Sequence, residues 1–438
     1  LAVPADFQSI PFDPAAVKTA LAQLPERSAV FALYGADAKA EPYIGRTPNL
    51  RGRLERLLQP SARHPKRLQL AGRVRRIEWK LTGSEFESLF LQFELLQKVY
   101  GTKSLERMHL GAPSFIRYLG GNPYPRITVT NRPSQKEADW AYGPFASRMA
   151  AERFAEEALK LFLLRRCTEE LDPDPRHPGC VYSEMKMCLA PCYKGCTDER
   201  YAEEAMGVER FLATRGENKL VTLRTERDEA SANLEFEAAA ALHQQVQKVE
   251  AVRALAPELV RPLSQLRAVI FQAGAEPDEV AVFLFEKGRL RGPASFSTVG
   301  MRIQNEQSGS SSLFAQPLAV EAVPESPEIR EQRSESRGEG SGVREQGSGA
   351  GKSRVAQGML EARMDAVLAK LAADGEASTA TERQGHLALL KRWYYRPEVK
   401  RAGEVCFPDA DGHWPLRAML RSVGRVAARA VLGAAASQ

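Results

Sequence analysis

Two groups of side chains in this 438-residue chain could do chemistry. The first is a cluster of thiols. Five of the six cysteines stand between positions 167 and 196: Cys167, Cys180, Cys188, Cys192 and Cys196. Their intervals are x12, x7, x3 and x3, and Pro178-Gly179 and Ala190-Pro191 supply the tight turns that convergent ligands need. In a chain that opens with no secretory pattern, such clustering argues for a metal rather than disulfides. Four thiolates satisfy either zinc or an iron–sulfur cluster, and spacing does not separate the two. Cys196 is then a surplus thiol and His177 an exposed loop histidine. Cys406, far away, reads as a small apolar core residue.

The second group is cationic. Eleven Lys and Arg residues lie between Arg46 and Lys80, opposed only by Glu55 and Glu78. This stretch carries +9, more than the +6 of the whole chain. Such a density suits a polyanion, because each neutralised phosphate releases counterions. Arg51, Arg56, Arg73, Arg75 and Arg76 are the candidate DNA contacts. A solvated basic surface is the plain alternative.

The elements that must position these groups follow from the pattern. At 43% apolar and 26% charged residues the composition is globular, which excludes a wholly disordered, collagenous or membrane protein. No apolar run nears the roughly 18 residues of a spanning helix, so no membrane partner is expected and the cytoplasm is the expected compartment. Val30–Tyr34 predicts a strand, and Tyr43-Ile44-Gly45 its antiparallel return. Pro48-Asn49 opens a helix with Leu50, Leu54 and Leu57 on one face. Val74–Leu81 predicts a third strand. Ser84 to Glu87 has capping-box form and starts a helix to about Tyr100. Pro-, Gly- and aromatic-rich text fills 111–145. Helices are expected from Ser147 to Leu164 and from Asp198 to Ala213. Two more, over 219–254, break near Asn233, with Ala239, Leu242, Val246 and Val249 in a stripe on the second. Strands are expected at 267–272, 279–285 and 294–298. Residues 304–355 are Gly/Ser/Glu/Arg-rich and predict a disordered linker, since they cannot bury enough apolar surface to offset chain entropy.

The segments Val30-Phe31, Tyr43-Ile44-Gly45-Arg46 and Asn49-Leu50-Arg51-Gly52-Arg53 together resemble the GIY-YIG nuclease module, most closely that of the UvrC family of excinucleases. Ser84–Leu91, Tyr142-Gly143-Pro144-Phe145, the cysteine region and residues 230–242 continue the resemblance in the family's order, over roughly residues 25–303. It implies an α/β (α+β) chain divided into a GIY-YIG domain (27–100) and a linker-helix and cysteine region (101–215). A helical UVR hairpin (219–254), a small β-rich segment (263–303), the linker (304–355) and a helical, aromatic-containing tail (356–438) follow. The implied activity is metal-dependent incision of damaged duplex DNA. Tyr43, Arg46 and Arg53 are the matching catalytic positions, with Mg²⁺ or Mn²⁺ as the ion.

The same resemblance marks departures. Phe31 stands where the family has the first tyrosine, and Leu57 where it has Tyr or His. Gln92 stands where it has the metal-binding glutamate, and a neutral amide is a poor ligand for a hard cation. Glu94, two residues on, is turned by about 200° around the helix and faces away. Glu85 and Glu87 are also misplaced. Two readings follow: an altered nuclease, or a nuclease fold kept for binding DNA and protein. A mobile-element nuclease is a weaker third, since it explains neither the cysteines nor the helical hairpin.

For the cysteines the resemblance implies a 4Fe–4S cluster on Cys167, Cys180, Cys188 and Cys192, with zinc as the alternative. For residues 230–242 it implies a docking hairpin for UvrB, the excinuclease's partner protein, through Leu234, Phe236, Glu237, Ala239, Ala240 and Leu242. Packing within the chain is the plain alternative. The family's RNase H-like nuclease and helix-hairpin-helix clamp are not expected in 356–438, whose 83 residues are too few for both.

Overall fold

The computed structural model describes residues 7–37, 40–59, 70–131, 141–299, 301–302, 321–322, 348–373, 379–397 and 400–435. Most of the expected linker lies outside these residues. Its last part does not follow the expectation, because a helix already begins at Ser348.

The N-terminal unit is a four-stranded antiparallel sheet with order β1-β4-β2-β3. Its strands are β1 (Gln8–Pro11), β2 (Ala29–Gly35), β3 (Tyr43–Thr47) and β4 (Val74–Leu81). Helices α1 (Val17–Ala22), α2 (Leu50–Leu58) and α3 (Glu85–Tyr100) accompany it. The expected hairpin is present, with Phe31 opposite Gly45 and Leu33 opposite Tyr43. Asn49 caps α2 by accepting from the Gly52 amide at 2.8 Å. Leu50, Leu54, Leu57 and Leu58 form an i, i+4, i+7, i+8 stripe that buries α2 against Phe12, Leu21, Phe31 and Trp79. Ser84 caps α3, while the Glu87 carboxylate accepts from the Gly83 amide, one residue outside the usual box.

After a single turn of helix, α4 (Ser104–Arg107), the middle unit begins. Here the Pro- and Gly-rich text is not irregular. It forms β5 (Ser114–Tyr118), β6 (Ile127–Thr130) and β7 (Ala141–Phe145), which join a later β8 (Arg261–Pro262) in the order β6-β5-β7-β8. Helices α5 (Arg148–Leu159), the short α6 (Val181–Glu184) and α7 (Asp198–Ala213) follow. Then come α8 (Glu217–Ala232) and α9 (Phe236–Ala254), with the break at Asn233 that the sequence predicts. Phe145, Phe154, Tyr201, Phe211, Leu220 and Val249 fill the shared core.

The third unit is a sheet of order β11-β10-β9-β14, built from β9 (Ala268–Ala273), β10 (Glu279–Glu286), β11 (Arg289–Ser297) and, after a short β12/β13 pair (Met301–Arg302 and Glu321–Ala322), β14 (Glu404–Cys406). Three helices cover it: α10 (Ser348–Ala373), α11 (Ala380–Tyr394) and α12 (Leu416–Ala435). Side chains of β10 alternate between two cores. Ala281, Phe283 and Phe285 face α3 and α11, whereas Val280, Val282 and Leu284 face α10 and α12. The C-terminal stretch, expected as a tail, therefore covers both faces of this sheet and reaches the N-terminal unit through α3. Among the described residues no helix is long and apolar enough to cross a membrane.

Candidate nucleic-acid cleft and cysteine site

The β2–β3 hairpin, α2 and α3 converge on an open cleft of about 480 Å³. Tyr43, Arg46, Arg53 and Gln92 line it, together with Arg107 and Arg392. The fold thus brings together four positions that the sequence singles out, from one strand and two helices. The Tyr43 hydroxyl accepts from the Arg53 guanidinium at 3.3 Å. Phe31 is fully buried beneath the hairpin. Its ring lies so close to Gly45 that a β-carbon there would sit 2.7 Å from Cζ. Glycine is therefore required at the cleft floor for packing, not for its backbone angles.

No carboxylate lines this cleft among the described residues. The nearby acids are engaged elsewhere. Glu85 binds Arg396 through both oxygens, at 2.8 and 2.9 Å, and lies 3.7 Å from Arg46. The hydrogen bond from Arg396 holds the Glu85 carboxyl below its ordinary range, with the charges of Arg396, Arg46 and Arg392 adding to it. Burial lowers the Arg46 pKa, partly offset by Glu85. Glu94 faces away from the cleft as helix geometry requires, paired with Nε2 of the buried His386 at 3.0 Å. The residues present do not fit a hard divalent cation, which takes oxygen ligands, usually with one or two carboxylates.

Leu57 is buried in the core stripe of α2 and does not line the cleft. The basic stretch is also less free than its charge suggests. Arg51 is spent internally, on Glu26 at 2.6 Å and the Leu24 carbonyl at 2.8 Å. Arg76 pairs with Glu78 at 3.1 Å and lies over Tyr34. Arg75 donates to the carbonyls of Gly72 and Val74, and Arg56 to that of Gly52. Arg73 is exposed. None of these five lines the cleft. Sequence reasoning missed Arg107 and Arg392, which no local motif marks.

The cysteine loop runs between α5 and α7. All six cysteines are free thiols. Burial pushes the Cys188 thiol up to about 11, and the proximity of Cys167, Cys180 and Cys192 adds to this. Cys196 instead faces Asp198 and Arg200. Two donors point at sulfur: the Ala190 amide to Cys188 Sγ at 3.3 Å, and the Arg165 guanidinium to Cys167 Sγ at 3.6 Å. Among the described residues, the set of three or more ligand atoms within 4.8 Å of one another is Asp409, Asp411 and His413, so no three cysteine sulfurs are that close.

In the helical hairpin, Val246, Val249 and Val252 of α9 and Leu220 and Leu223 of α8 are buried in the middle unit's core. At the tip, Leu234 and Phe236 are 71% and 66% exposed, and Glu237 and Ala240 are exposed with them. Ala239 and Leu242 are half-buried, and Leu242 packs against the chain's own core, which removes it from any free docking surface.

Comparison with known proteins agrees with this layout. Residues 115–211 match the UvrC/Cho excinuclease middle domain, and residues 217–252 match the UvrB/UvrC motif. The first span contains all five clustered cysteines; the second is α8 and α9 almost end to end. The chain is similar to the UvrABC system protein C of Ruminiclostridium cellulolyticum, 28% identical over 303 residues, covering 67% of this chain and 48% of that protein. It is also similar to that of Symbiobacterium thermophilum, 28% identical over 282 residues, covering 63% and 44%. The chain thus spans about half the length of the curated relatives it matches. No solved structure matches. Over about two thirds of its length the chain is similar to UvrABC system protein C, and it matches the UvrC/Cho excinuclease middle domain and the UvrB/UvrC motif.

Proposed function

We propose that this protein is a DNA- and protein-binding member of the UvrC family that acts in nucleotide excision repair. The cleft grips the backbone of damaged duplex DNA, and the tip of the α8–α9 hairpin docks UvrB. The observation that carries the reading is the cleft lining: Arg46, Arg53, Arg107 and Arg392 beside Tyr43 and Gln92, with no carboxylate among the described lining residues. Guanidinium groups bind phosphate strongly through paired donors. Without a carboxylate to hold a metal ion, they hold a phosphodiester rather than hydrolyse it.

Cys167, Cys180, Cys188 and Cys192 would hold a 4Fe–4S cluster in the loop between α5 and α7. Tetrahedral zinc, with bonds of about 2.3 Å to sulfur, would draw its ligands to about 3.8 Å from one another. No three of the described sulfurs lie within 4.8 Å of one another, which suits a cluster whose cysteines bind different irons. The Ala190 amide and the Arg165 guanidinium would donate to the sulfurs of Cys188 and Cys167 once these bind the cluster. The cluster would brace a loop with little apolar core of its own.

Incision at a single phosphodiester is the second reading, favoured by the retained contact between the Tyr43 hydroxyl and Arg53. One assay decides between them. The purified chain is incubated with a lesion-bearing duplex and UvrB in Mg²⁺ or Mn²⁺. Salt-sensitive binding without a nick is the expected result. A metal-dependent nick that disappears on Tyr43→Phe would replace the binding reading with incision.

A further inference from the structure

Arg392 belongs neither to the hairpin nor to α2 or α3, yet it lines the same cleft. It is carried there by α11, which is clamped antiparallel along α3 by two polar bridges. His386 meets Glu94 at one end, and Arg396 meets Glu85 at the other. Between the bridges, Trp393 and His386 pack on Phe86, Phe90 and Phe93. Gly385 makes this close approach possible, since a β-carbon there would lie 2.1 Å from the Phe93 ring. A further hydrogen bond, from the Tyr395 hydroxyl to the Pro144 carbonyl at 2.9 Å, fixes the end of the helix against β7. Trp393 is buried, while the adjacent Arg392 is exposed on the cleft side.

The charges around the cleft do not balance. Arg107 is 3.4 Å from Glu41, and Arg46 shares Glu85 with the closer Arg396. Among the described residues, Arg53 and Arg392 have no carboxylate partner. Arg392 also lies near enough to Arg46 to destabilise its charge. A concave site that crowds unpaired guanidinium groups is stabilised by an anion that several of them can share.

We propose that α11 completes the cleft and that Arg392 is a direct ligand of a nucleic-acid backbone phosphate, held there without a divalent cation. The inference rests on the DNA-binding reading above, and its test separates the two. Binding of the full chain to a fluorescein-labelled duplex oligonucleotide is followed by anisotropy over a range of NaCl concentrations, in EDTA and again in Mg²⁺. Arg392→Ala should weaken binding about tenfold at low salt and lower the slope of log K against log salt by about one. Arg392→Lys should recover part of the loss. Arg417→Ala, an exposed arginine on α12, should change neither quantity. Arg392 is exposed and makes no hydrogen bond or ion pair among the described residues, so its variants should melt with the wild type. If Arg53→Ala weakens binding but Arg392→Ala leaves affinity and slope unchanged, the inference fails and the DNA-binding reading stands. Binding that vanishes in EDTA overturns the metal-free cleft. Absence of any affinity of the wild-type chain for the duplex overturns both.

Discussion

Arg396 donates two hydrogen bonds to Glu85, from Nη1 to Oε2 at 2.8 Å and from Nη2 to Oε1 at 2.9 Å. This pair ties the last residues after α11 to the first turn of α3, across 311 positions of sequence. Glu85 also sits at the N-terminal end of α3, where the helix dipole favours its negative charge.

The pair makes stability depend on pH in a definite sense. The Glu85 carboxyl is held below its ordinary range, first by the hydrogen bond from Arg396. A carboxyl depressed in the folded state adds stability above its unfolded pKa and loses it as pH falls through the folded value. Thermal melts between neutral pH and about pH 3 should therefore show Glu85→Gln converging on the wild type as acid removes the wild-type advantage. At neutral pH the difference should be modest, about 0.2–1 kcal/mol, because the pair is partly exposed. A difference that persists undiminished at the acid end would assign the effect to packing instead.

Gly385 is the steric condition for docking α11 on α3. Alanine normally improves a helix interior by about 1 kcal/mol over glycine. Here the added carbon would meet the Phe93 ring at 2.1 Å. Gly385→Val should destabilise the chain by about 1–3 kcal/mol, the usual cost of overpacking. It should also weaken DNA binding in the same direction as Arg392→Ala. Denaturant unfolding together with the anisotropy assay measures both.

The helical hairpin separates stability from recognition. Val249 is fully buried at its base and Phe236 two-thirds exposed at its tip. Val249→Ala should lower stability by about 1–3 kcal/mol through lost burial and a cavity. Phe236→Ala should leave the melting temperature nearly unchanged and weaken capture of UvrB by about 2 kcal/mol, roughly thirtyfold. Calorimetry of folding and titration with UvrB distinguish the two. A stable Phe236→Ala chain that binds UvrB as tightly as wild type would remove the tip from the interface.

For the cysteine loop, iron and acid-labile sulfide analysis of anaerobically purified protein should find both elements, with visible absorption to match. Cys188→Ser should lose them. Cys196→Ser should retain them, because Cys196 faces Asp198 and Arg200 rather than the other sulfurs. Zinc in place of iron would change the ion and leave the four ligands assigned.

Local pattern was enough to set most elements and the residues they carry. The apolar run Val30–Tyr34 and its return at Tyr43-Ile44-Gly45 marked the β2–β3 hairpin, the stripe Leu50, Leu54, Leu57 marked the buried side of α2, and Ser84 marked the start of α3. The break at Asn233 and the α+β class were legible for the same reason: periods of 2 and 3.6 and caps act over a few residues. The strands β5–β7 were hidden, because Gly and Pro normally signal loops and their pairing partners lie outside the local window. The near-continuous apolar runs of β9 and β10 did carry a signal, since a strand apolar on both faces needs a cover on each. They could not say that α3 and α11 would form one cover and α10 and α12 the other. That assignment, and with it the arrival of Arg392 beside Arg46 and Arg53, came from long-range packing alone. Which helix covers which face depends on the summed fit of many distant side chains, such as Phe93 in the notch at Gly385, and no short stretch of sequence contains that sum.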